Sequence, residues 1–318
     1  MTKLKCASFF AGVGGIDLGF EKTGQFETIY ANEFDKSAKT TYEANFDIAV
    51  DCRDINVVSE NEIPEFDVML AGFPCQAFSI AGYRQGFDDK KGRGSLFFQL
   101  MRVIKTKKPS IVFLENVKNL VAHDNGNTFK VIREALESEG YHIKHEVLNT
   151  MTHGNIPQNR ERIYIVAFKD KTTFDKFVFP KPVKLTKQLS DVIDYTNEVD
   201  AKFYYTKESF SHYDQLVANI TNQNTIYQWR RVYVRENKSG VSPTLTANMG
   251  TGGHNVPLVL TDYGIRKLTP RECFSIQGFP KNFKLPDTAP SHLYKQAGNS
   301  VSVTVIYAIA KNILKALD

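Results

Sequence analysis

Short apolar runs alternate with segments of helical periodicity through the first half of the chain. Strands are predicted where short apolar runs end in polar or glycine-rich turns, over residues 4–10, 28–33, 67–73, 111–114, 143–148 and 163–168. Helices are predicted where apolar residues recur every three or four positions, over residues 15–22, 37–45, 96–107, 128–139 and 302–317. This alternation indicates an α/β fold with a mixed, mostly parallel sheet and helices on both faces.

The pattern weakens in one central stretch of the chain. Between residues 188 and 263 the periodicity fades, and Asn, Thr, Gln, Gly and Tyr become common. Core-like character then returns, and an apolar stripe on the last helix predicts that the end of the chain packs back onto the first domain. We therefore predict a large domain formed by residues 1–187 and 264–318, with a small loop-rich β domain, residues 188–263, between them.

Composition sets broad limits on function. The 318 residues carry a net charge of +5, a mild basic bias that permits nucleic-acid binding without demanding it. None of the four cysteines forms a CxxC pair, so neither a zinc site nor a disulfide scaffold is expected. No apolar run approaches the roughly 20 residues of a membrane span, and the first residues lack the layout of a signal peptide. We expect a cytoplasmic protein with no metal and no membrane partner.

A glycine-rich turn, FAGVGG over residues 10–15, joins the first predicted strand to the first predicted helix. Glycines let the backbone turn tightly and approach a ligand closely. The next strand ends at Glu33, where an acidic side chain is placed to accept hydrogen bonds from both hydroxyls of a ribose. Asp54 and Ile55 are then predicted to hold an adenine edge, as an acceptor and an apolar wall. Because position 17 is Asp rather than a third glycine, spacing alone leaves a dinucleotide and a phosphate-free cofactor such as S-adenosylmethionine both open.

Pro74 and Cys75 follow directly after an apolar strand-like run. A cysteine at the tip of a strand, next to a stiff proline, is where a parallel-sheet protein places a reactive atom, and a thiolate is a strong nucleophile. The following stretch to Gly94 is long, rich in glycine and basic, with Arg84 and Arg93 among its cations. A basic loop of this size suggests a lid that closes over a polyanion.

An acid and two arginines are predicted near the same sheet edge. Glu115 ends another strand-like run, and Arg160 and Arg162 precede a further strand. One nucleophile, one carboxylic acid and two arginines can therefore converge at the carboxyl edge of the sheet, although surface salt bridges would also explain the arginines.

These motifs, in this order, resemble those of the DNA cytosine carbon-5 methyltransferases of bacterial type II restriction–modification systems. The matching segments are FAGVGG at 10–15, NE at 32–33, DI at 54–55, GFPCQAFS at 72–79, GSLFF at 94–98, ENV at 115–117, QNRER at 158–162, KLTPRECFSIQG at 267–278 and GNSV at 298–301. They span nearly the whole chain outside the middle region.

The resemblance implies a mechanism and a set of site residues. Duplex DNA binds, the target cytosine rotates into a pocket, and the Cys75 thiolate attacks ring carbon 6. Glu115 hydrogen-bonds and partly protonates ring nitrogen 3, and carbon 5 then takes the methyl group from the cofactor. Arg162 holds the base carbonyl, and Arg160 supports the closed loop. The cofactor implied is S-adenosyl-L-methionine. The residues expected to hold it are Phe10, Gly12, Gly14, Gly15, Glu33, Phe34, Asp54, Ile55, Pro74, Leu96, Asn299 and Ser300.

In such enzymes the variable domain reads the DNA sequence, which assigns that role here to residues 188–263. Arginines read guanine edges in the major groove, and other basic groups contact phosphates. The residues expected to bind DNA are Gln76, Ser79, Arg84, Arg93, Gln228, Arg230, Arg231, Arg235, Thr244 and Leu245. The resemblance further implies a protein that is monomeric on DNA and protects it from a cognate restriction endonuclease, a genetic rather than a bound partner.

Three other functions are weighed against this one. A transfer-RNA cytosine-5 methyltransferase of the same fold is disfavoured by the developed middle region. A catalytically silent DNA-binding repressor is disfavoured by the intact Cys75, Glu115 and Arg162. A nicotinamide oxidoreductase depends on the glycine turn alone and leaves Pro74 and Cys75 unexplained.

Overall fold

The structure is a computed structural model that describes residues 2–74, 96–252 and 254–318. The chain divides into two compact units, one formed by residues 1–148, 161–181 and 305–318 and the other by residues 149–160 and 182–304. The two units are distinguished by how densely their residues contact one another, and not by their function. The domain boundaries predicted from the sequence therefore stay a prediction.

A seven-stranded sheet forms the centre of the first unit, in the order β3-β2-β1-β4-β5-β7-β6. Its strands are β1 Leu4–Phe9, β2 Phe26–Asn32, β3 Val50–Asp51, β4 Val68–Gly72, β5 Ile111–Val117, β6 His142–Asn149 and β7 Glu161–Phe168. The first five strands pair in parallel, and β7 runs antiparallel to β5. The sheet is therefore mixed, as the sequence predicts.

Helices cover both faces of this sheet because successive strand residues point to opposite sides. They are α1 Gly15–Glu21, α2 Lys36–Glu43, α3 Leu96–Lys107, α4 Asn127–Ser138, α6 Lys171–Lys176 and α10 Val303–Leu317. On one face, Ala7, Met69 and Val112 pack with apolar residues of α3 and α4. On the other, Phe113 of β5 meets Phe20 of α1 with ring centroids 5.1 Å apart.

The second unit contains a smaller antiparallel sheet and short helices. Its strands, in the order β11-β10-β8-β9, are β8 Tyr227–Arg230, β9 Tyr233–Glu236, β10 Leu258–Thr261 and β11 Gly264–Lys267. Its helices are α5 Thr150–His153, α7 Tyr213–Asn219, α8 Pro270–Ile276 and α9 Pro290–Asn299. The packed residues Phe210, Leu216, Tyr227 and Leu258 give this sheet an apolar core of its own.

Among the described residues, one helical stretch has the length and hydropathy of a membrane span. The stretch Pro290–Leu317 has a most apolar window of mean hydropathy 1.3. That window is 56% buried inside the protein, and the stretch is broken into α9 and α10 at Ser300–Ser302. Burial of this extent is typical of helices that pack in a protein core.

Candidate functional site

The register of the parallel strands aligns the chemically interesting residues at one edge of the large sheet. Phe9, at the end of β1, lies opposite both Asn32 of β2 and Ala71 of β4. Gly72 of β4 lies opposite Glu115 of β5. The loops that follow β1, β2 and β4 therefore leave the sheet side by side, at the carboxyl edge where open α/β sheets bind ligands.

The glycine turn after β1 has a backbone that side chains rarely adopt. Phe10 has φ +53° and Gly12 has φ +57°, both in the left-handed region. Apart from Gly12 itself and its two chain neighbours, no described residue has an atom within 4 Å of the point where a Cβ on Gly12 would stand. At Gly14, with φ +81°, a Cβ would lie 2.2 Å from the Phe46 ring. The turn therefore requires glycine at position 14 for packing, and it leaves open space at position 12, while Gly15 begins α1.

Glu33 is anchored to this turn. Its Oε2 accepts a hydrogen bond from the Gly12 amide at 2.8 Å, and its Oε1 accepts one from the Asp35 amide at 2.7 Å. The Glu33 amide donates to the Asp51 carbonyl at 3.1 Å. The carboxylate is thus held beside the glycine turn, and its ribose-binding role stays a prediction.

The aromatic ring next to Glu33 is exposed to solvent. Phe34 is 70% exposed, a large apolar area for a single phenylalanine. Asp54 accepts hydrogen bonds on Oδ1 from the amide and side chain of Asn56, at 2.9 and 2.7 Å, and so caps a short helical turn. The side chain of Ile55 is 2% exposed and packs in the core. The adenine-binding roles of Phe34, Asp54 and Ile55 stay predictions.

Glu115 and Arg162 lie together at this edge, on the paired strands β5 and β7. Glu115 is buried, and its Oε1 lies 3.3 Å from Arg162 Nε. A Cβ on Gly72 would lie 3.7 Å from Glu115 Oε2, so the carboxyl group stands beside the end of β4. The predicted acid and the predicted carbonyl-holding arginine are therefore brought together, and the acid stands beside Gly72, which precedes the predicted nucleophile Cys75 by three positions in the sequence.

Asn116 supports the backbone next to the candidate site, and the sequence analysis names it only within the ENV motif. Its side-chain amide donates to the Phe73 carbonyl at 2.9 Å, and its Oδ1 accepts from the Val117 amide at 2.8 Å. Asn116 therefore fixes the backbone that leads from β4 to Pro74. The sequence offered only the motif ENV as a signal, since the partner of Asn116 lies 43 positions away.

Several predicted residues fall outside the described part of the chain or at its border. Cys75, Gln76, Ser79, Arg84 and Arg93 lie outside the described residues. At the border, Pro74 is exposed and Leu96 is half-buried at the start of α3, where it packs against the core.

Arg160 belongs to the second unit and is buried there. Its Nη1 donates to the Leu245 carbonyl at 2.9 Å, and its Nη2 donates to the carbonyls of Gly298 and Ser300. Thr244 Oγ1 donates to the Asn159 carbonyl at 2.7 Å. Arg160 thus joins the Thr244-Leu245 segment to the end of α9. Its predicted role in catalysis, and DNA binding by Thr244 and Leu245, stay predictions.

Asn299 and Ser300 lie at the end of α9. Asn299 is exposed, whereas Ser300 is 8% exposed. The buried Ser300 Oγ has no hydrogen-bond partner among the described residues. A buried hydroxyl of this kind is costly unless something satisfies it, and a bound ligand would do so.

The β8–β9 hairpin separates its polar and apolar side chains by face. Gln228 lies opposite Arg235, and Arg230 lies opposite Tyr233. These four residues share one face because strand residues alternate, while Tyr227, Trp229 and Val234 pack into the core of the second unit. Arg231, with φ +57°, forms the exposed turn. All four residues of the hairpin predicted to bind DNA are thus presented on its outer face or tip.

Asp17 is another residue to which the sequence analysis assigns no function; it is noted there only because it stands where a third glycine would. It is fully buried in α1 and accepts hydrogen bonds from Ser8, Thr28 and Tyr42 at 3.0, 3.3 and 3.0 Å. Burial raises its pKa to about 6, against the opposing effect of these hydroxyl donors. Asp17 therefore connects α1 to β1, β2 and α2 directly behind the glycine turn.

Comparison with known proteins identifies the class to which this fold and site belong. Residues 4–315 match the C-5 cytosine-specific DNA methylase family, and the chain belongs to that family. It is 62% identical over 314 residues to the type II methyltransferase M.Bsp6I of Bacillus sp. (strain RFL6), covering 99% of each chain. It is 39% identical over 332 residues to the type II methyltransferase M.HhaI of Haemophilus parahaemolyticus, covering 100% of this chain and 96% of that one. The prediction of a DNA cytosine-5 methyltransferase is confirmed.

Solved structures confirm the predicted fold class. A mutant of Spodoptera frugiperda DNMT2 superposes with a TM-score of 0.75 at 21% identity, covering 98% of this chain and all of that one. An Escherichia coli prophage-encoded putative DNA modification methyltransferase has a TM-score of 0.67 at 21% identity, with 99% of each chain covered. The large unit is therefore a Rossmann-like methyltransferase fold.

Proposed function

We propose that this enzyme methylates a short, specific duplex DNA site on carbon 5 of an extruded cytosine, through a transient bond to Cys75. The observation that carries the proposal is the pairing of Glu115 and Arg162 beside Gly72, at the end of the strand that leads to Pro74 and Cys75. An acid and a fixed cation at that point are what addition of a thiolate to cytosine requires.

The chemistry follows from the low reactivity of cytosine carbon 5. Addition of the Cys75 thiolate to carbon 6 makes carbon 5 nucleophilic, provided that charge is drained from the ring. Glu115 would donate a proton to ring nitrogen 3, and Arg162 would hold the base carbonyl and orient Glu115. Once carbon 5 carries the methyl group that the cofactor would supply, loss of the carbon-5 proton to solvent would break the carbon–sulfur bond, release the Cys75 thiolate and restore the aromatic ring. Rotation of the base out of the stack is required because these groups cannot reach it inside a duplex.

The residues at the carboxyl edge fit S-adenosylmethionine. Glu33 stands beside the glycine turn and suits a ribose, and the exposed Phe34 offers an apolar face to an adenine. The open space around Gly12 admits a ligand close to the backbone. Asn299 and Ser300 are further proposed contacts, and the unpaired Ser300 hydroxyl supports this. When bound, the cofactor supplies an electrophilic methyl group.

Sequence recognition is assigned to the β8–β9 hairpin. Gln228, Arg230 and Arg235 form one outer face, with Arg231 at the tip. Amide and guanidinium groups can bond base edges in the major groove, which admits a two-stranded ribbon. We further expect the protein to act as a monomer in the cytoplasm and to protect host DNA from a cognate endonuclease.

A trapping experiment tests the covalent step. Bisulfite sequencing of mixed DNA incubated with the enzyme and S-adenosylmethionine first identifies the methylated site. A duplex carrying 5-fluorocytosine at that site should then form a stable adduct whose peptide map places the DNA on Cys75. Cys75→Ser should form no adduct while still binding the duplex. An active enzyme that forms no adduct, or one attached elsewhere, would refute the mechanism.

A further inference from the structure

A basic groove lies in the first unit, away from the residues considered so far. It encloses about 440 Å³ between the last turns of α10 and the segment that follows α6. Lys176 and Lys181 line it from one side, and Lys311 and Lys315 line it from the other. The rings of Phe179 and Tyr307 lie among these lysines. We call these six residues the lysine groove.

The lysine groove lies at the sheet edge opposite the candidate active site. α1 starts at the carboxyl edge after β1, and Lys22 follows its last turn at the amino edge, where Leu4 bonds Gln25. Lys22 Nζ lies 5.9 Å from the centre of the Tyr307 ring, which places Tyr307 at the amino edge. With six residues in β1, the two edges are separated by about 20 Å.

The segment after α6 reaches the same edge from the other side. β7 is antiparallel to β5, and its last residue, Phe168, lies opposite Ile111 at the start of β5. The chain then forms α6 and continues to Val178, whose carbonyl accepts a hydrogen bond from Asn312 Nδ2 at 3.0 Å. Both walls of the groove are therefore joined by a side-chain contact at the amino edge.

The lysine groove is rich in positive charge; Asp170, whose pKa is lowered chiefly by hydrogen bonds from Thr173 and to a smaller extent by Lys176, lies outside its lining. No acidic residue lines it, and none of its four lysines forms an ion pair with a carboxylate in the described part of the chain. Lys311 Nζ lies 5.3 Å from the Tyr307 ring centre, so Lys22 and Lys311 both approach the same aromatic ring. A lysine in the last turn of a helix is expected from the helix dipole alone, which accounts for Lys315. It does not account for lysines that converge from two separate segments.

We propose that the lysine groove binds the phosphate backbone of a second nucleic-acid segment. Lysines that converge from two segments, with no carboxylate in the lining, suit the phosphates of a nucleic-acid backbone. A duplex held at the carboxyl edge has its phosphates on the other side of a sheet about 20 Å across. The occupant is therefore a separate segment, and the enzyme can pass directly from one DNA segment to another without first becoming free in solution.

The test compares two variants that remove the same charge. Lys311→Gln with Lys315→Gln removes two cations from the groove. The control, Lys105→Gln with Lys130→Gln, removes two cations from exposed positions on α3 and α4. Release of the enzyme from a labelled duplex carrying its site is followed by stopped-flow while unlabelled non-specific duplex is increased.

For the wild type and the control, the release rate should rise with competitor concentration, because the competitor is bound before the first duplex leaves. In the groove variant the rate should become independent of competitor, and the log–log salt slope of non-specific binding should fall by about two. Single-turnover methylation of a short duplex should stay unchanged in all three, which separates this proposal from the methylation mechanism itself. Equal competitor dependence in the groove and control variants would overturn the proposal. The proposal would also be overturned if inorganic phosphate saturated the groove and duplex DNA did not bind there.

Discussion

Replacement of Asp17 by Asn should stabilise the protein in a pH-dependent way. Burial raises the pKa of the Asp17 carboxyl from its ordinary value of 3.8 to about 6, so the fold favours its protonated form. A raised carboxyl pKa gives stability that is present at low pH and is lost as pH rises through the folded value. The rise in the Asp17 pKa from 3.8 to about 6 corresponds to a loss of folding stability of about 3 kcal/mol at pH 8 and of about half that at pH 5.

An asparagine keeps the shape of Asp17 and can still accept hydrogen bonds from Thr28 and Tyr42. Urea unfolding of wild type and Asp17→Asn at pH 5 and pH 8 isolates the effect, because other titrating groups cancel in the difference. Asp47→Asn, at an exposed carboxyl, is the control and should change stability by less than about 0.5 kcal/mol at either pH. A stability gain for Asp17→Asn that is the same at both pH values would show that the raised pKa is not its cause.

Three further variants test other contacts. Glu33→Gln should weaken S-adenosylmethionine binding about tenfold or more, because hydrogen bonds to a charged group contribute about 1.5–3 kcal/mol. Calorimetry should show that the affinity for DNA is unchanged, and equal loss of both affinities would contradict the ribose role. Glu272→Gln should cost about 3–5 kcal/mol in thermal unfolding, because the fully buried Arg266 would lose the carboxylate 2.6 Å away; an unchanged melting temperature would show that the pair is dispensable. Gly298→Ala should destabilise by at least about 1–3 kcal/mol in urea, because its Cβ would lie 2.1 Å from the Thr246 backbone, and a neutral result would mean that this contact relaxes freely.

The sequence predicts the sheet and its edge because both depend on local signals. The strand ends at Phe9 and Gly72 lie within a residue of their predicted positions. Two-residue β3 was missed because Val50 and Asp51 give too short an apolar run to register as a strand. Phe10 was predicted to continue β1, and its left-handed backbone shows that the strand ends before it.

The site is predicted less completely than the fold because its support is non-local. Glu33, Glu115 and Arg162 are charged residues at the ends of apolar strands, and this pattern can be recognised in the sequence alone. Asn116 and Arg160 act through backbone carbonyls that lie 43 and 85 or more positions away. A carbonyl is present at every residue, so no sequence pattern marks the one that a side chain will find.

The contrast between charged groups at strand ends and side chains that bond distant backbone bears on how the fold positions its reactive groups. Asn116 and Arg160 are both buried and bond to backbone: Asn116 to Phe73, and Arg160 to Leu245 and Ser300. Backbone acceptors stay in place when neighbouring side chains change, so a recognition surface can vary while the reactive groups keep their positions. Loss of Asn116 should therefore lower the rate of methylation and leave the affinity for DNA and cofactor largely unchanged. Single-turnover rates and binding constants of Asn116→Leu would show this, and a selective loss of affinity would indicate that Asn116 contacts a ligand.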